Sequence, residues 1–171
     1  MNPGLYSYLG AAIAYGFFVL LLVFSWRSSL QGKLLIGAVA VSAVWAVLAA
    51  NIALASAELT DAYRIFEVLR NIAWYVFLLR LFDPVVVQGG GYRRFVGWAL
   101  PVSVGFAGLL LIGELTAGPQ WLVVNLIGHV FLALIGLAII EQLFRHTAVR
   151  HRWAIKYLFI GAGGIFAFDF F

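Results

Sequence analysis

Uncharged apolar runs, separated by short connections that carry charges or Gly and Pro, dominate the chain. Crossing the hydrocarbon core of a bilayer takes ~20 apolar residues at the helical rise. Four runs meet that length, at 5–26, 34–57, 95–113 and 120–140. Two more are less clean: 65–82 carries Glu67, Arg70 and Arg80, and the run from 153 is apolar until Asp169. The pattern predicts an all-α fold, a polytopic transmembrane bundle of about six membrane-crossing helices, the sixth spanning 153–171. Because that last helix has scarcely ended at Phe171, the chain is expected to be truncated in or after it.

Composition sets the class independently. With 64% hydrophobic and 11% charged residues, and a mean hydropathy of +1.03, the chain cannot hide its apolar surface from water. A bilayer accepts such an exterior and requires backbone hydrogen bonds to close internally, as helices do. The connections are too short to hold a folded domain, so consecutive helices should be antiparallel neighbours in a single domain, 1–171. Asp83-Pro84 is expected to stop the third helix, Gln88-Gly89-Gly90-Gly91 to form a flexible hinge, and Gly118-Pro119 to start the fifth helix.

Charge then orients the bundle, since short loops rich in Lys and Arg stay cytoplasmic. Loop one is expected to hold Arg27 and Lys33, loop three Arg93 and Arg94, and loop five Arg145, Arg150, Arg152 and Lys156, whereas the opposite side offers only Arg64. The N-terminus is therefore expected outside, and the chain in a bacterial inner membrane as a multi-pass protein. The pI near 9.7 reflects this topology and anionic headgroups rather than nucleic acid, which would need an exposed basic surface with stacking aromatics. Trp26, Tyr92, Trp98 and Trp153 fall at the inner interface and Tyr6, Tyr8, Tyr63 and Trp121 at the outer one, where such rings concentrate. Trp45 and Trp74 fall mid-span, where an indole N–H calls for a partner inside the bundle. No cleavable signal precedes the first helix, and with no cysteine there is neither disulfide nor thiolate metal site. Ala38, Ser42, Ala46 and Ala50 recur at four-residue steps, which allows close helix approach and suggests a central second helix; alanine's preference for any helix explains them equally.

Catalytic signatures are missing: there is no P-loop, dinucleotide fingerprint, zincin motif or nucleophile elbow. What remains is polar side chains at membrane depth, each costing roughly 2.5 to 3.5 kcal/mol on insertion scales where charged. These are Asn51 on helix two, Glu67, Arg70 and Asn71 on helix three with Trp74 on the same stripe, Asn125 and His129 on helix five, and Asp169 on helix six. The span boundaries place Asn51, Glu67, Arg70, Asn71, Asn125, His129 and Asp169 in the outer half of the bilayer, with Glu67 and Arg70 one turn apart and able to pair. Two readings stand. The residues hold helices together, or they line an outward-opening intramembrane pocket for a signal or ligand. A haem or metal role for His129 lacks a second ligand at matching depth, and His146 and His151 belong to the basic inner loop.

The stretch Glu141-Gln-Leu-Phe-Arg145, the short basic loop, Arg152-Trp-Ala-Ile-Lys156 and Gly161-Ala-Gly-Gly164-Ile-Phe-Ala-Phe-Asp169 resembles the N-terminal membrane region of PrsK-type sensor histidine kinases of the PEP-CTERM/exosortase system. Leu5-Tyr-Ser-Tyr-Leu9, Ser25-Trp-Arg27, Leu69-Arg-Asn-Ile-Ala-Trp74 and Leu78-Leu-Arg80 look similar as well, so the likeness covers most of the chain. The resemblance implies a membrane-embedded sensory and anchoring module, with a GAF-type domain and an ATP-dependent kinase core expected downstream. It further implies a homodimeric parent whose phosphoryl group passes to a response regulator controlling exopolysaccharide and exosortase-linked genes. ATP and magnesium would belong to the kinase core alone. No histidine here lies in a phosphoacceptor box, so this chain by itself is expected to carry no catalysis and no cofactor. The alternative is a transporter or channel fragment that uses the same polar pocket, and a purely structural anchor is a third possibility.

Overall fold

A computed structural model describes residues 3–25, 29–54, 59–81, 90–116, 122–146, 156–157 and 160–166; of 3, 90–96, 114–115, 122, 125 and 146 it describes the backbone alone. Among these residues the chain is all-helical. Five long helices follow one another: α1 (Pro3–Phe24), α2 (Leu30–Ala53), α3 (Thr60–Leu81), α4 (Gly90–Thr116) and α5 (Leu122–His146). A shorter helical stretch occupies 160–166.

Three segments are long and apolar enough to cross a membrane: Gly4–Phe24 on α1, Leu30–Ala53 on α2 and Leu126–Arg145 on α5. In α4 the apolar stretch is shorter, Gly97–Gly113, and α3 is interrupted by Asp61, Arg64, Glu67, Arg70 and Arg80.

Several boundaries differ from those read off charge. Helix α2 begins at Leu30 because Ser29, in extended backbone conformation, caps it: the Gly32 N–H donates to the Ser29 hydroxyl at 3.2 Å. Lys33 is consequently in the first turn of α2 and not in loop one, its amide bonded to the Ser29 carbonyl at 3.2 Å. An exposed lysine is tolerated there because its apolar stem can lie along the helix while the ammonium reaches the interface. Gly90 and Gly91 are not a hinge but the opening of α4, and Arg93 and Arg94 follow in its first turns. Arg145 belongs to α5, paired with Glu141 one turn earlier at 2.6 Å, and Lys156 is also helical. Arg27, Arg150, Arg152, Asp83-Pro84, Gln88-Gly89 and Gly118-Pro119 lie outside the described residues.

The chain divides into two compact units, Met1–Phe77 and Leu78–Phe171. In the first, α2 presents Ala38, Ser42, Ala46 and Ala50, all buried, together with Val39, Trp45 and Ala49. Small side chains let backbones approach closely where no hydrophobic force draws helices together, and α1 packs closely along α2. The side chains joining α2 to α3 are larger. Ser42 meets Trp74 and Trp45 meets Arg70, so rising numbers on α2 meet falling numbers on α3 and the two run antiparallel.

In the second unit α4 and α5 are also antiparallel, with Leu110 against Gly128 and the Phe106 and Phe131 rings edge to face at 6.4 Å. A Cβ on Gly128 would run into the Leu110 side chain, and one on Gly136 would come 2.6 Å from the ring of Phe166. These two glycines of α5 are notches, the first receiving α4 and the second receiving the 160–166 stretch. Beside the first notch Phe106, Leu110, Val124, Ile127 and Phe131 line an open apolar groove of about 270 Å³.

Candidate functional site

The polar residues of the first unit gather on the facing sides of α2 and α3. Trp74 donates its indole N–H to the Ser42 hydroxyl at 3.1 Å, and that hydroxyl donates onward to the Ala38 carbonyl at 2.8 Å. Every polar atom in this chain of bonds has a partner, which is the condition for burying a hydroxyl and an indole together. The Trp74 ring also meets Phe77 edge to face at 5.9 Å.

Two turns along α2 from Ala38, the arrangement changes. Arg70, 2% exposed, lays its guanidinium over the Trp45 ring with Cζ 3.9 Å from the ring centroid. The indole face carries the negative lobe of the ring quadrupole, and the attraction is about 2 kcal/mol or more where water is excluded. That is comparable with the roughly 2.5 to 3.5 kcal/mol that a mid-helix arginine costs on insertion scales. Tyr8 from α1 and Tyr63 from α3 complete the aromatic surround, their centroids 6.0 and 6.1 Å from Trp45. The Tyr63 hydroxyl donates to Glu67 at 3.3 Å, which gives that carboxylate one of the hydrogen bonds it needs in a part-buried position.

The depth of this cluster differs from the sequence reading. Because α3 starts at Thr60 and not at 65, Arg70 and Asn71 fall at its middle and Trp74 beyond it, instead of in opening turns. The physical reason is that Asp61 and Arg64 do not end a helix; Asp61 in the first turn favours it through the helix dipole. Ser42 and Trp45 are likewise central on α2.

Of the residues singled out from sequence, Glu67, Arg70, Asn71 and Trp74 share one part of the first unit. Asn51 belongs to the same unit, and its amide donates to the Val47 carbonyl of its own helix at 2.8 Å. Asn125 and His129 are on α5 in the second unit, the side chain of Asn125 lying outside the described residues, as does Asp169. Sequence reasoning missed the contributions of Ser42, Trp45, Tyr8 and Tyr63. It treated the first as a small packing residue and the tyrosines as interfacial anchors. The signal available was the antiparallel pairing of α2 and α3, which brings together residues at similar distances from their connection.

Two atoms of the cluster stand apart. Among the described residues, the buried Trp45 Nε1 and Asn71 Oδ1 have no hydrogen-bonding partner. Trp45 is 5% and Asn71 3% exposed. Leaving a buried donor or acceptor unpaired costs about 1–3 kcal/mol. The described residues contain no grouping of three His, Asp or Glu that would hold a metal ion.

No protein-family model, no curated protein and no solved structure matches the chain.

Proposed function

We propose that the chain is the membrane-embedded sensory and anchoring module of a two-component sensor histidine kinase. It crosses the bacterial inner membrane six times with its N-terminus outside. The resemblance of Glu141–Arg145, Arg152–Lys156 and Gly161–Asp169 to PrsK-type kinases supports the class. The observation that carries the sensory part is a costly polar cluster, Arg70, Asn71 and Trp45, buried at the middle of two paired helices. The described connections between helices are short, so an input reaches this cluster through the bilayer and not through an external domain.

A ligand shifts the equilibrium between two signalling conformations only by binding them unequally. In this reading, the contacts of Arg70 and Asn71 differ between the two states, and the α2–α3 seam is where the ligand acts. The downstream kinase core, with its ATP and magnesium, performs autophosphorylation as a homodimer and passes the phosphoryl group to a response regulator. This chain contributes anchoring in lipid and the input.

The test has two arms. Coding sequence beyond Phe171 that continues into a GAF-type domain and a kinase core supports the reading; continuation into further spans and a stop overturns it in favour of transport. In the full-length protein, Glu67→Leu, Asn71→Leu, Asn125→Leu and His129→Leu are then assayed singly for autophosphorylation and membrane insertion. Loss of signal response with normal insertion supports intramembrane sensing. Unchanged response in all four overturns it, and general misfolding assigns the residues to helix pairing.

A further inference from the structure

The polar residues on the facing sides of α2 and α3 sort into two sets. Ser42 and Trp74 satisfy each other and the backbone, Asn51 bonds to its own helix, and Tyr63 bonds to Glu67. Trp45 Nε1 and Asn71 Oδ1 do not share in this; both are more than nine-tenths buried and both lack a partner among the described residues. One is a donor that needs an acceptor, and the other is an acceptor that needs a donor.

The antiparallel pairing of Ser42 with Trp74 and of Trp45 with Arg70 brings Asn71, next to Arg70 on α3, to the level of Trp45 on α2. Around that level the walls are aromatic: Tyr8, Trp45 itself and Tyr63. A hydroxyl group is the smallest neutral function that answers both atoms, accepting from an N–H through its oxygen and donating its own proton. A charged group would add a second desolvation cost beside Arg70. At the middle of helices of this length, the molecules that arrive are those dissolved in the bilayer.

The geometry points to the α2–α3 seam as a binding site for a lipid-soluble, hydroxyl-bearing molecule, its oxygen accepting from Trp45 Nε1 and its proton going to Asn71 Oδ1. This rests on the intramembrane-sensing reading above and names the ligand class for it. A hydroquinone headgroup and an aliphatic alcohol both carry the required hydroxyl, and the oxygen of either can sit against an indole N–H. Trp74, whose N–H is already engaged by Ser42, is in this arrangement a fixed pin beside the site.

The 171-residue chain in phospholipid nanodiscs, with its tryptophans labelled with nitrogen-15, is titrated with decylhydroquinone and 1-decanol. Each is compared with its own methyl ether, which keeps the acceptor and loses the donor. The Trp45 indole N–H resonance, assigned by its disappearance in Trp45→Phe, is expected to move saturably with at least one hydroxyl compound, and the corresponding ether to bind roughly tenfold more weakly. The two probes distinguish an aromatic from an aliphatic hydroxyl source. Asn71→Leu is expected to abolish the preference for hydroxyl over ether while the resonance still responds. Equal, non-saturating shifts with alcohol and ether in the wild-type chain mean partition into lipid only, and overturn the site. A Trp45 resonance insensitive to every probe overturns it too, and neither outcome depends on a variant folding. Because the measurement reads binding to this chain and not kinase output, a positive titration with an unresponsive kinase would refute the sensor reading and leave the site standing.

Discussion

The indole of Trp74 on α3 donates to the hydroxyl of Ser42 on α2 across 3.1 Å, both side chains fully inside the first unit. It is a direct side-chain hydrogen bond between two apolar helices, and it sets their register at the level where Arg70 meets Trp45. In lipid, where both helices are as apolar as their surroundings, such bonds and close packing replace hydrophobic burial as the source of specificity.

A double-mutant cycle measures this bond. Ser42→Ala and Trp74→Phe, singly and together, are expected to couple by about 0.6 kcal/mol, with an upper bound near 1.7 kcal/mol, the range for interhelical hydrogen bonds in membranes. Reversible unfolding in mixed micelles supplies the numbers. Strict additivity would show that the two side chains do not act together.

Arg70 depends on the ring beneath it. Trp45→Phe keeps a smaller aromatic face and should lose part of the attraction, whereas Trp45→Leu removes it and should destabilise the unit by about 2 kcal/mol more. Arg70→Met, similar in length and uncharged, should recover much of the loss in the Trp45→Leu background, because the buried charge has gone. If Arg70→Met deepens the loss in that background, the cation is held by something other than Trp45.

At the notches of α5 the expected costs are unequal. The atoms that meet a Cβ on Gly128 are the ends of the Leu110 side chain, which can rotate, whereas those facing Gly136 belong to the rigid ring of Phe166. Gly136→Ala should therefore cost about 1–3 kcal/mol, as overpacking does, and Gly128→Ala less. Phe166→Leu should relieve Gly136→Ala specifically. Thermal unfolding of the four variants in detergent checks the order, and equal effects at both glycines would contradict it.

The absence of cysteine from the chain makes it a ready background for single-cysteine topology mapping. Ser28→Cys, Gln88→Cys and Thr147→Cys should be shielded from a membrane-impermeant maleimide in intact cells, and Asn2→Cys, Ser56→Cys and Gly118→Cys should react. The pattern follows from six crossings with the N-terminus outside. Labelling at Gln88→Cys in intact cells would reverse the orientation.

How much of this was written in the residues depends on the range of the interaction concerned. Helix existence was legible because a run such as 5–26 needs only its own backbone and an apolar surrounding. Boundaries were less so. Charge placed Lys33 and Arg145 in loops, while the Ser29 cap and the Glu141 pairing keep them helical. Charge at Arg64 suggested a later start for α3 than Thr60, which moved Arg70 and Asn71 away from the centre they occupy. Trp45 and Trp74 look alike as mid-span tryptophans, yet one N–H is engaged and the other is not.

Hydropathy and local helix chemistry by themselves determined that this chain is built of apolar helices, because lipid-length runs and backbone bonding are properties of consecutive residues. Which side chains meet was decided only by tertiary structure. The Ser42–Trp74 bond, the seat of Arg70 on Trp45 and the fit of Phe166 against Gly136 all depend on the rotation and offset of one helix against another. A few ångströms of sliding along nearly uniform apolar surfaces would change every partner, and the residue string alone carries no measure of that offset.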